Sequence, residues 1–453
     1  MVQTRERVAM LMRRKAITFV VAMVLADSAV VILALPAIYR DFAVEVADVA
    51  WVVTAFNLAL ALAAIPAAAL VRLVGAARMC SAGLILFAGA SLACAAAPSL
   101  GVLIGARAAQ GLSGAAAVCA ALELLPQISG SDRGAARSWA VAGIVGAALG
   151  PAIGGVLTQV FAWQAIFVVQ VPFALAPIFA IGFGREGARR SPAGRPHLAA
   201  NAALALLSAG LTAALFLIVL LLIEGWRLSP IAAAAVVSVL PAASILAGPL
   251  ERRLGPARVR AAAGAMVGAG GLAALGLMPA PDWLWTVPAQ VLVGIGLALS
   301  LGGLTEAALA GRSRPALHGG VTIASRHAGI VLGLLLLTPV FVADLDVQRA
   351  RAEQRGVEIV IDSNVAPSTK LRLAARLASD VQDTPGRLPD VRRTIDDLAV
   401  GDRERPALTS LANRLEHELD EAATSSFARS FLLAALLALL GLVPIAAARE
   451  VRL

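Results

Sequence analysis

Twelve runs of about 20 apolar residues are the feature that most constrains the fold of this chain. A helical run of that length crosses the hydrocarbon core of a bilayer. Because a segment in lipid must satisfy its backbone hydrogen bonds internally, the runs predict α-helices. We call them spans 1 to 12, and they cover residues 16–36, 48–70, 76–96, 99–125, 137–159, 163–184, 198–223, 229–249, 258–279, 283–309, 320–343 and 427–448.

The overall composition agrees with a membrane protein. Of the 453 residues, 59% are apolar and 15% are charged, whereas a soluble protein has about half apolar and about a quarter charged residues. These values exclude a disordered chain, a coiled coil and an ordinary soluble enzyme. Cys80, Cys94 and Cys119 lie in apolar runs and predict no disulfide framework. The predicted fold class is an all-α polytopic membrane protein with twelve transmembrane helices.

Basic residues between the spans indicate the orientation, because arginine and lysine near span ends are retained in the cytoplasm. With the N-terminus inside, the short external loops contain only Arg40 and Arg227 as basic residues. The net charge of +9 therefore indicates membrane topology and not nucleic-acid binding. We expect both termini in the cytoplasm. The cytoplasmic side then receives the basic clusters at 5–15, 72–78, 133–137, 185–195, 252–260, 312–314 and 449–452.

The two halves of the chain resemble each other. The inner loop at 72–78 matches the one at 253–258 in its glycine and final arginine, and Glu123 and Glu306 occupy corresponding places in spans 4 and 10. Such repeats predict two six-helix halves with a substrate site between them. The predicted units are an N-terminal half at 1–184, a cytoplasmic linker at 185–197 and a C-terminal half at 198–453 that includes an external loop at 344–426.

The external loop contains two helical stretches, 368–381 and 410–423, in which leucines recur on one face. No aromatic residue occurs between Leu345 and Ser426, so we expect no independent folded core here. The loop is predicted to be a helical cap leaning on the external mouth, with a partner-binding domain as the alternative.

Span 5 carries a stripe of glycines. Gly146, Gly150 and Gly154 lie four residues apart, Gly155 follows, and Pro151 bends the helix. Small side chains let a neighbouring backbone approach closely, and we expect the stripe to pack against the other half. The spacing GxxxGPxxGG resembles the antiporter motif of the drug:proton antiporters of the major facilitator superfamily.

Three further stretches are similar to motifs of that family. They are the acid-then-Leu-Pro signature at 25–36, the RxxQGxG motif at 107–114 and the SRxxG stretch at 325–333. These motifs and the long external loop are closest to the fourteen-span branch, although this chain has twelve spans and lacks the branch's two extra central helices. The resemblance implies the major facilitator fold and ties the acid of span 1 to proton coupling or cation recognition.

Ionisable side chains inside spans are costly and indicate functional sites. Asp27 lies near the middle of span 1, where a dry environment favours proton binding. Arg107 lies mid-span in span 4 and needs an acid, carbonyl groups or water, with Asp27 as one candidate. Glu123, Glu306 and His327 are further candidates for proton coupling or substrate binding. For each of the five, a structural role is the alternative.

Four other polar residues are candidates for lining the pathway: Asn57, Gln110, Gln170 and Arg326. The three amides have interhelical hydrogen bonding as the alternative. Arg326 stands next to His327 where span 11 begins, near the cytoplasm.

The energy source is predicted to be an ion gradient. A nucleotide-binding P-loop needs a Gly-Lys-Ser/Thr sequence, but Lys15 and Lys370 follow an arginine and a threonine. We therefore expect no cofactor beyond the proton gradient, no metal and no enzymatic activity. The expected partners are a small lipophilic substrate, protons and the lipid bilayer, with no nucleic acid. The chain is expected to be a monomer.

The residues and the resemblance together predict a secondary active transporter that exports lipophilic or cationic compounds by proton coupling, of the multidrug type. One alternative is a specific transporter of a metabolite or lipid precursor. Another is a non-transporting scaffold or sensor that uses the external loop. Arginine predominates over lysine and alanine is abundant, which is typical of high-GC bacteria, so the expected location is a bacterial inner membrane.

Overall fold

The computed structural model describes residues 2–129, 132–184, 194–309, 315–383, 391–398 and 404–447. Within these ranges every regular element is a helix, so the predicted all-α membrane fold is confirmed. Eleven of the described helices are long and apolar enough to cross a bilayer, and span 5 contains a shorter apolar segment, Leu149–Val160. Most of the predicted linker at 185–197 lies outside the described residues.

The described part of the N-terminal half contains six spans. Spans 1 to 6 are Val2–Ile32, Val46–Val74, Ala76–Ala95, Leu100–Ser129, Asp132–Val160 and Gln164–Leu175, the last continued by Ile178–Ile181. A short helix, Leu35–Phe42, joins spans 1 and 2 on the side predicted to be external.

The C-terminal half has six matching spans. Span 7 is Leu198–Leu220 and ends in a π-helical turn at Leu221–Gly225. Span 8 consists of three segments, Pro230–Val237, Val239–Leu246 and Gly248–Arg253. Spans 9 to 12 are Ala257–Gly276, Thr286–Leu309, Pro315–Ile361 and Arg405–Leu440. Four shorter helices complete this half: Trp283–Trp285, Pro367–Asp383, Val391–Asp396 and Leu442–Ala447.

Glycines determine which helices touch in each half. A Cβ atom on Gly154 of span 5 would lie 2.3 Å from the carbonyl oxygen of Val30 in span 1. A Cβ atom on Gly329 of span 11 would lie 2.1 Å from the carbonyl oxygen of Ala205 in span 7. Since ordinary side chains do not fit at such distances, small residues bring these backbones together. The same pair of helices therefore packs closely in both halves, six spans apart.

A second pair repeats in the same way. Gly111 lets span 4 approach the carbonyl oxygen of Phe56 in span 2, and Gly294 lets span 10 approach that of Leu240 in span 8. A Cβ atom would lie 2.3 Å and 2.1 Å from these oxygens. The internal similarity of the sequence thus corresponds to a repeated packing pattern.

The halves meet along spans 2 and 11 on one side and spans 5 and 8 on the other. Gly320 of span 11 packs on Ala64 of span 2, and Gly155 of span 5 packs on Pro230 and Ala234 of span 8. The rest of the glycine stripe does not face the other half. Gly146, Gly150 and Gly154 pack on span 1, within the N-terminal half. The expectation that the stripe packs between the halves is wrong except at Gly155, because the four-residue spacing points the other three toward span 1.

The external loop has a small hydrophobic core of its own, contrary to our expectation. The helix of span 11 runs on to Ile361, the helix of span 12 begins at Arg405, and the two short helices between them complete the unit. Aliphatic side chains are sufficient to form this core without an aromatic residue. The buried members are Val365, Leu373, Val391, Ile395, Leu398, Leu408, Leu411, Ala412 and Leu415.

Candidate translocation site

A buried ion pair lies inside the N-terminal half. Arg107 Nη1 of span 4 donates a 2.6 Å hydrogen bond to Asp27 Oδ2 of span 1, and both side chains are inaccessible to solvent. Arg107 Nε also donates to the carbonyl oxygen of Val52, at 3.0 Å. Removing a charge from water costs several kcal/mol unless it is paired and hydrogen-bonded. Each of these two side chains therefore supplies the counter-charge that the other needs at this depth.

Two glutamines extend the pair into a network. Arg107 Nη1 donates to Gln110 Oε1 at 2.6 Å, three residues along the same helix. Gln170 of span 6 donates to Asp27 Oδ1 at 2.8 Å and accepts from Gln110 at 2.7 Å. Ser91 of span 3 accepts a further hydrogen bond from Gln110. The structure thus brings Asp27, Arg107, Gln110 and Gln170 together, and it adds Ser91, which the sequence analysis did not single out.

Aromatic rings complete the surroundings of Arg107. The guanidinium carbon lies 4.3 Å from the ring centre of Phe56 and 5.8 Å from that of Phe167. Stacking of this kind stabilises a cation when water is excluded. Because the span 4 motif at 107–114 contains no aromatic residue, only the packing of spans 2 and 6 reveals these contacts.

A second polar group connects the two halves. His327 Nδ1 of span 11 lies 2.7 Å from Asn57 Oδ1 of span 2. Asn57 Nδ2 donates to Ser28 Oγ of span 1 at 3.1 Å and to the Val53 carbonyl oxygen at 2.8 Å. An amide oxygen only accepts hydrogen bonds, so His327 Nδ1 carries the proton in this arrangement. Since Ser28 follows Asp27 directly, this bridge joins the site of the ion pair to the other half.

A narrow cavity lies between the halves next to this bridge. Its volume is about 60 Å³, far below the roughly 300–1,000 Å³ of a site for a drug-sized molecule. Most of its wall is apolar, and Arg326 and His327 are the ionisable side chains among its described lining residues. Asp27 does not line it. This conformation has room for a few water molecules, so a larger substrate requires the halves to separate.

Glu123 and Glu306 lie away from both the ion pair and the cavity. Glu123 is buried near the cytoplasmic ends of the spans, where its Oε2 atom accepts from the backbone nitrogen of Ala316 at the start of span 11. Glu306 is half exposed and pairs with Arg260 at 2.6 Å. The structure therefore does not place either glutamate at the ion pair or the cavity.

A contact between the halves on the external side was not foreseen from the sequence. Tyr39, in the short helix after span 1, donates to Glu224 at the π-helical end of span 7. The neighbouring Arg40 pairs with the same carboxylate at 2.5 Å. Burial raises the pKa of the Tyr39 hydroxyl, so it stays protonated and acts as the donor. We define Tyr39, Arg40 and Glu224 as the latch, which joins the two halves on the side predicted to be external.

Comparison with known families agrees with this architecture. The family model of the Major Facilitator Superfamily matches residues 17–337, which is most of the chain. The chain belongs to the Major Facilitator Superfamily. Membership places it among multi-pass membrane transporters, and it confirms the resemblance found in the motifs.

Three relatives within this superfamily share part of the sequence. The chain is 36% identical over 160 residues to the multidrug resistance protein Stp of Mycobacterium tuberculosis (strain CDC 1551 / Oshkosh), which is 35% of this chain and 30% of that protein. It is 33% identical over 165 residues to the multidrug efflux pump LfrA of Mycolicibacterium smegmatis (strain ATCC 700084 / mc(2)155), with coverages of 36% and 32%.

The third relative is the tetracenomycin C resistance and export protein of Streptomyces glaucescens, which is 34% identical over 169 residues, with coverages of 36% and 31%. The matched region therefore spans about a third of each relative's length. Among solved structures, the superfamily fold is shared with a bacterial homologue of the human lysosomal transporter Spinster in an inward-facing, unoccupied conformation. The TM-score is 0.63 at 16% identity, over 98% of this chain and 99% of the other.

Proposed function

We propose that the protein is a proton-coupled exporter of lipophilic compounds in a bacterial inner membrane, with both termini in the cytoplasm. The names of the partial relatives support export, and the arginine distribution supports the orientation. The observation that carries the proposal is the fully buried pair of Asp27 and Arg107, because a carboxyl group can carry a proton and release it, whereas the guanidinium keeps its charge.

Protonation of Asp27 would remove one charge of the pair and weaken its bond to Arg107. The arginine would keep its hydrogen bonds to Gln110 and the Val52 carbonyl oxygen and its contact with the Phe56 ring. The remaining cation is therefore still solvated by the protein, which lowers the cost of the protonated state. Gln170 can continue to donate to the carboxyl group. Both protonation states are thus compatible with a buried site.

The state of Asp27 reaches the interface of the halves through the next residue. Span 1 is held to span 4 by the ion pair and to span 2 by Ser28, and Asn57 continues this connection to His327 in the other half. When the bond between Asp27 and Arg107 weakens, span 1 can shift. This shift changes the hydrogen bond between Asn57 and His327, which joins the two halves at mid-depth. Proton binding would thereby favour one of two arrangements of the halves.

The halves touch on both sides of the cavity. The latch joins them on the side proposed to be external, and the contacts of Glu123 with Ala316 and of Gly320 with Ala64 join them on the side proposed to be cytoplasmic. Alternating access then requires one set of contacts to open at a time. The proposed cycle needs the proton gradient and no cofactor, and one chain contains both halves, so a monomer suffices.

The test is transport in liposomes with an imposed pH gradient. Three lipophilic dyes, one cationic, one neutral and one anionic, are followed with the wild type, Asp27→Asn and the control Glu306→Gln, whose ion pair lies away from the site. We expect gradient-driven flux of at least one dye, loss of its gradient dependence in Asp27→Asn and unchanged flux in the control. Flux that keeps its gradient dependence in Asp27→Asn contradicts the assignment of the proton site.

A second candidate function, binding of a partner by the external loop, is supported by that loop's own hydrophobic core. The discriminating variant replaces residues 364–404 by a short Gly/Ser linker and keeps the helices of spans 11 and 12. An exporter should retain most of its flux. A scaffold or sensor should show no flux in either form.

A further inference from the structure

The central cavity is lined by a positively charged side chain that has no partner among the described residues. Arg326 lines it and makes no hydrogen bond or ion pair with any described residue, and its Nε atom is buried. A Cβ atom on Gly143 of span 5 would lie 3.7 Å from Arg326 Nη1. Arg326 belongs to the C-terminal half, and its guanidinium therefore reaches the N-terminal half and lies at the interface between the two halves. A guanidinium in that position keeps its charge and requires a counter-charge or water.

Two further polar atoms of the cavity wall have no partner among the described residues. His327 is 2% exposed and its Nε2 atom makes no hydrogen bond. Ser244 of span 8 is 3% exposed, and its hydroxyl is also unpaired. Buried polar atoms are nearly always hydrogen-bonded in proteins. Three such atoms on one cavity indicate a group that binds there.

The acids of the spans do not supply this group. The Asp27 carboxylate already accepts hydrogen bonds from Arg107 and Gln170. The Glu123 carboxylate accepts one from the backbone at the start of span 11. The remaining lining residues are apolar or small, among them Leu25, Leu211 and Leu297.

We propose that the cavity, once it widens as the halves separate, binds a lipophilic molecule bearing one anionic group, such as a carboxylate, with the anion on Arg326 and Ser244 and the apolar body against the leucines. This inference rests on the proposed export function and narrows its substrate class. It differs from the cationic compounds expected from the sequence, because that expectation placed the carboxylate of Asp27 in the pathway. His327 lies next to the proposed anionic group. Its Nε2 atom donates a hydrogen bond when the imidazole is protonated and accepts one when the imidazole is neutral.

The test measures binding and not transport, so it is independent of the proton-coupling hypothesis. Purified protein in micelles is titrated with 4-phenylbutyrate, 4-phenylbutyramide and 4-phenylbutylamine, which share one apolar body, with empty micelles subtracted. We expect the carboxylate to bind about tenfold more tightly than the amide and the amine, the factor that one charge-assisted hydrogen bond provides.

Arg326→Gln should abolish this preference and Arg326→Lys should retain part of it. Ser244→Ala should weaken carboxylate binding severalfold and serves as a second variant if Arg326→Gln does not fold. The control Arg260→Gln, in the same half but outside the cavity, should keep the full preference. Equal affinities for the three probes, no binding, tighter binding of the amine, or a preference that survives in a folded Arg326→Gln protein overturns the proposal. A carboxylate preference without gradient-driven flux would instead refute only proton-coupled export.

Discussion

Replacing Gly154 by alanine tests whether glycine contacts hold spans 1 and 5 together. The added Cβ atom would lie 2.3 Å from the carbonyl oxygen of Val30, where ordinary contact begins at 3.4 Å. The two backbones must therefore separate by about 1 Å at this point. The oxygen belongs to a helix backbone and cannot rotate away as a flexible side chain would.

The cost follows from two opposing effects. Overpacking of a tight interface costs about 1–3 kcal/mol. Alanine restores about 0.5–1 kcal/mol relative to glycine, because it restricts the unfolded chain and favours helix. The expected net loss is about 1–2 kcal/mol, which lowers the folded-to-unfolded ratio by a factor of about 5–30.

Unfolding of purified protein in micelles, followed by tryptophan fluorescence, measures this loss. Gly105→Ala on span 4 is the matched control, because a Cβ atom there meets no other atom within 4 Å. The control should be as stable as the wild type or slightly more stable. Gly329→Ala, the counterpart in the other half with a Cβ contact of 2.1 Å, should lose at least as much stability as Gly154→Ala.

Wild-type stability in Gly154→Ala, or an equal loss in Gly105→Ala, would refute the reasoning. Either result would mean that these glycines do not determine the helix spacing.

Three further predictions concern charged groups. Arg107→Met should lower the free energy of unfolding by about 3–5 kcal/mol, because it leaves the Asp27 carboxylate buried without its counter-ion; combining it with Asp27→Asn should recover part of the loss in a denaturant titration, and strictly additive losses would contradict the coupling. Glu224→Gln should loosen the external latch and raise labelling of a cysteine introduced at Ile38, which is fully buried, by about fivefold; unchanged labelling would show that the latch does not hold the closure. Burial raises the pKa of Asp420 in the external unit above its ordinary 3.8, so its contribution to stability is present below that pH and is lost as the pH rises through the folded value; Asp420→Asn should stabilise the unit at pH 7 by less than about 1 kcal/mol, because the side chain is only partly buried, and a lower melting temperature in the variant would contradict this.

Several features of the fold follow from the sequence because they depend on residues close in the chain. The length of an apolar run predicts a transmembrane helix, and the motifs in spans 1, 4, 5 and 11 indicate the superfamily. The placement of Asp27 and Arg107 in the middle of spans also identifies them as candidates for a buried pair. The first and third of these inferences use only composition and position along one helix, and the second rests on resemblance to known motifs.

The directions of the side chains depend on tertiary packing. Asp27 and Ser28 are neighbours, but successive residues on a helix point about 100° apart. The first therefore faces Arg107 inside the N-terminal half, and the second reaches Asn57 and lines the cavity. The sequence shows an acid in span 1, but only the rotation of that helix against its neighbours determines whether the acid faces the pathway.

Tertiary packing also explains the latch and the external core, which the sequence analysis did not predict. The latch joins Tyr39 and Glu224 across 185 positions of the chain, and the buried core of the external unit combines aliphatic residues from three separate helices and the segments beside them. Contacts of this kind form between segments whose local sequences do not specify one another. The sequence by itself therefore determined which segments cross the membrane and which residues are costly to bury there. Only the packed bundle decided which of those residues meet, because each contact depends on the rotation and depth of two helices at once.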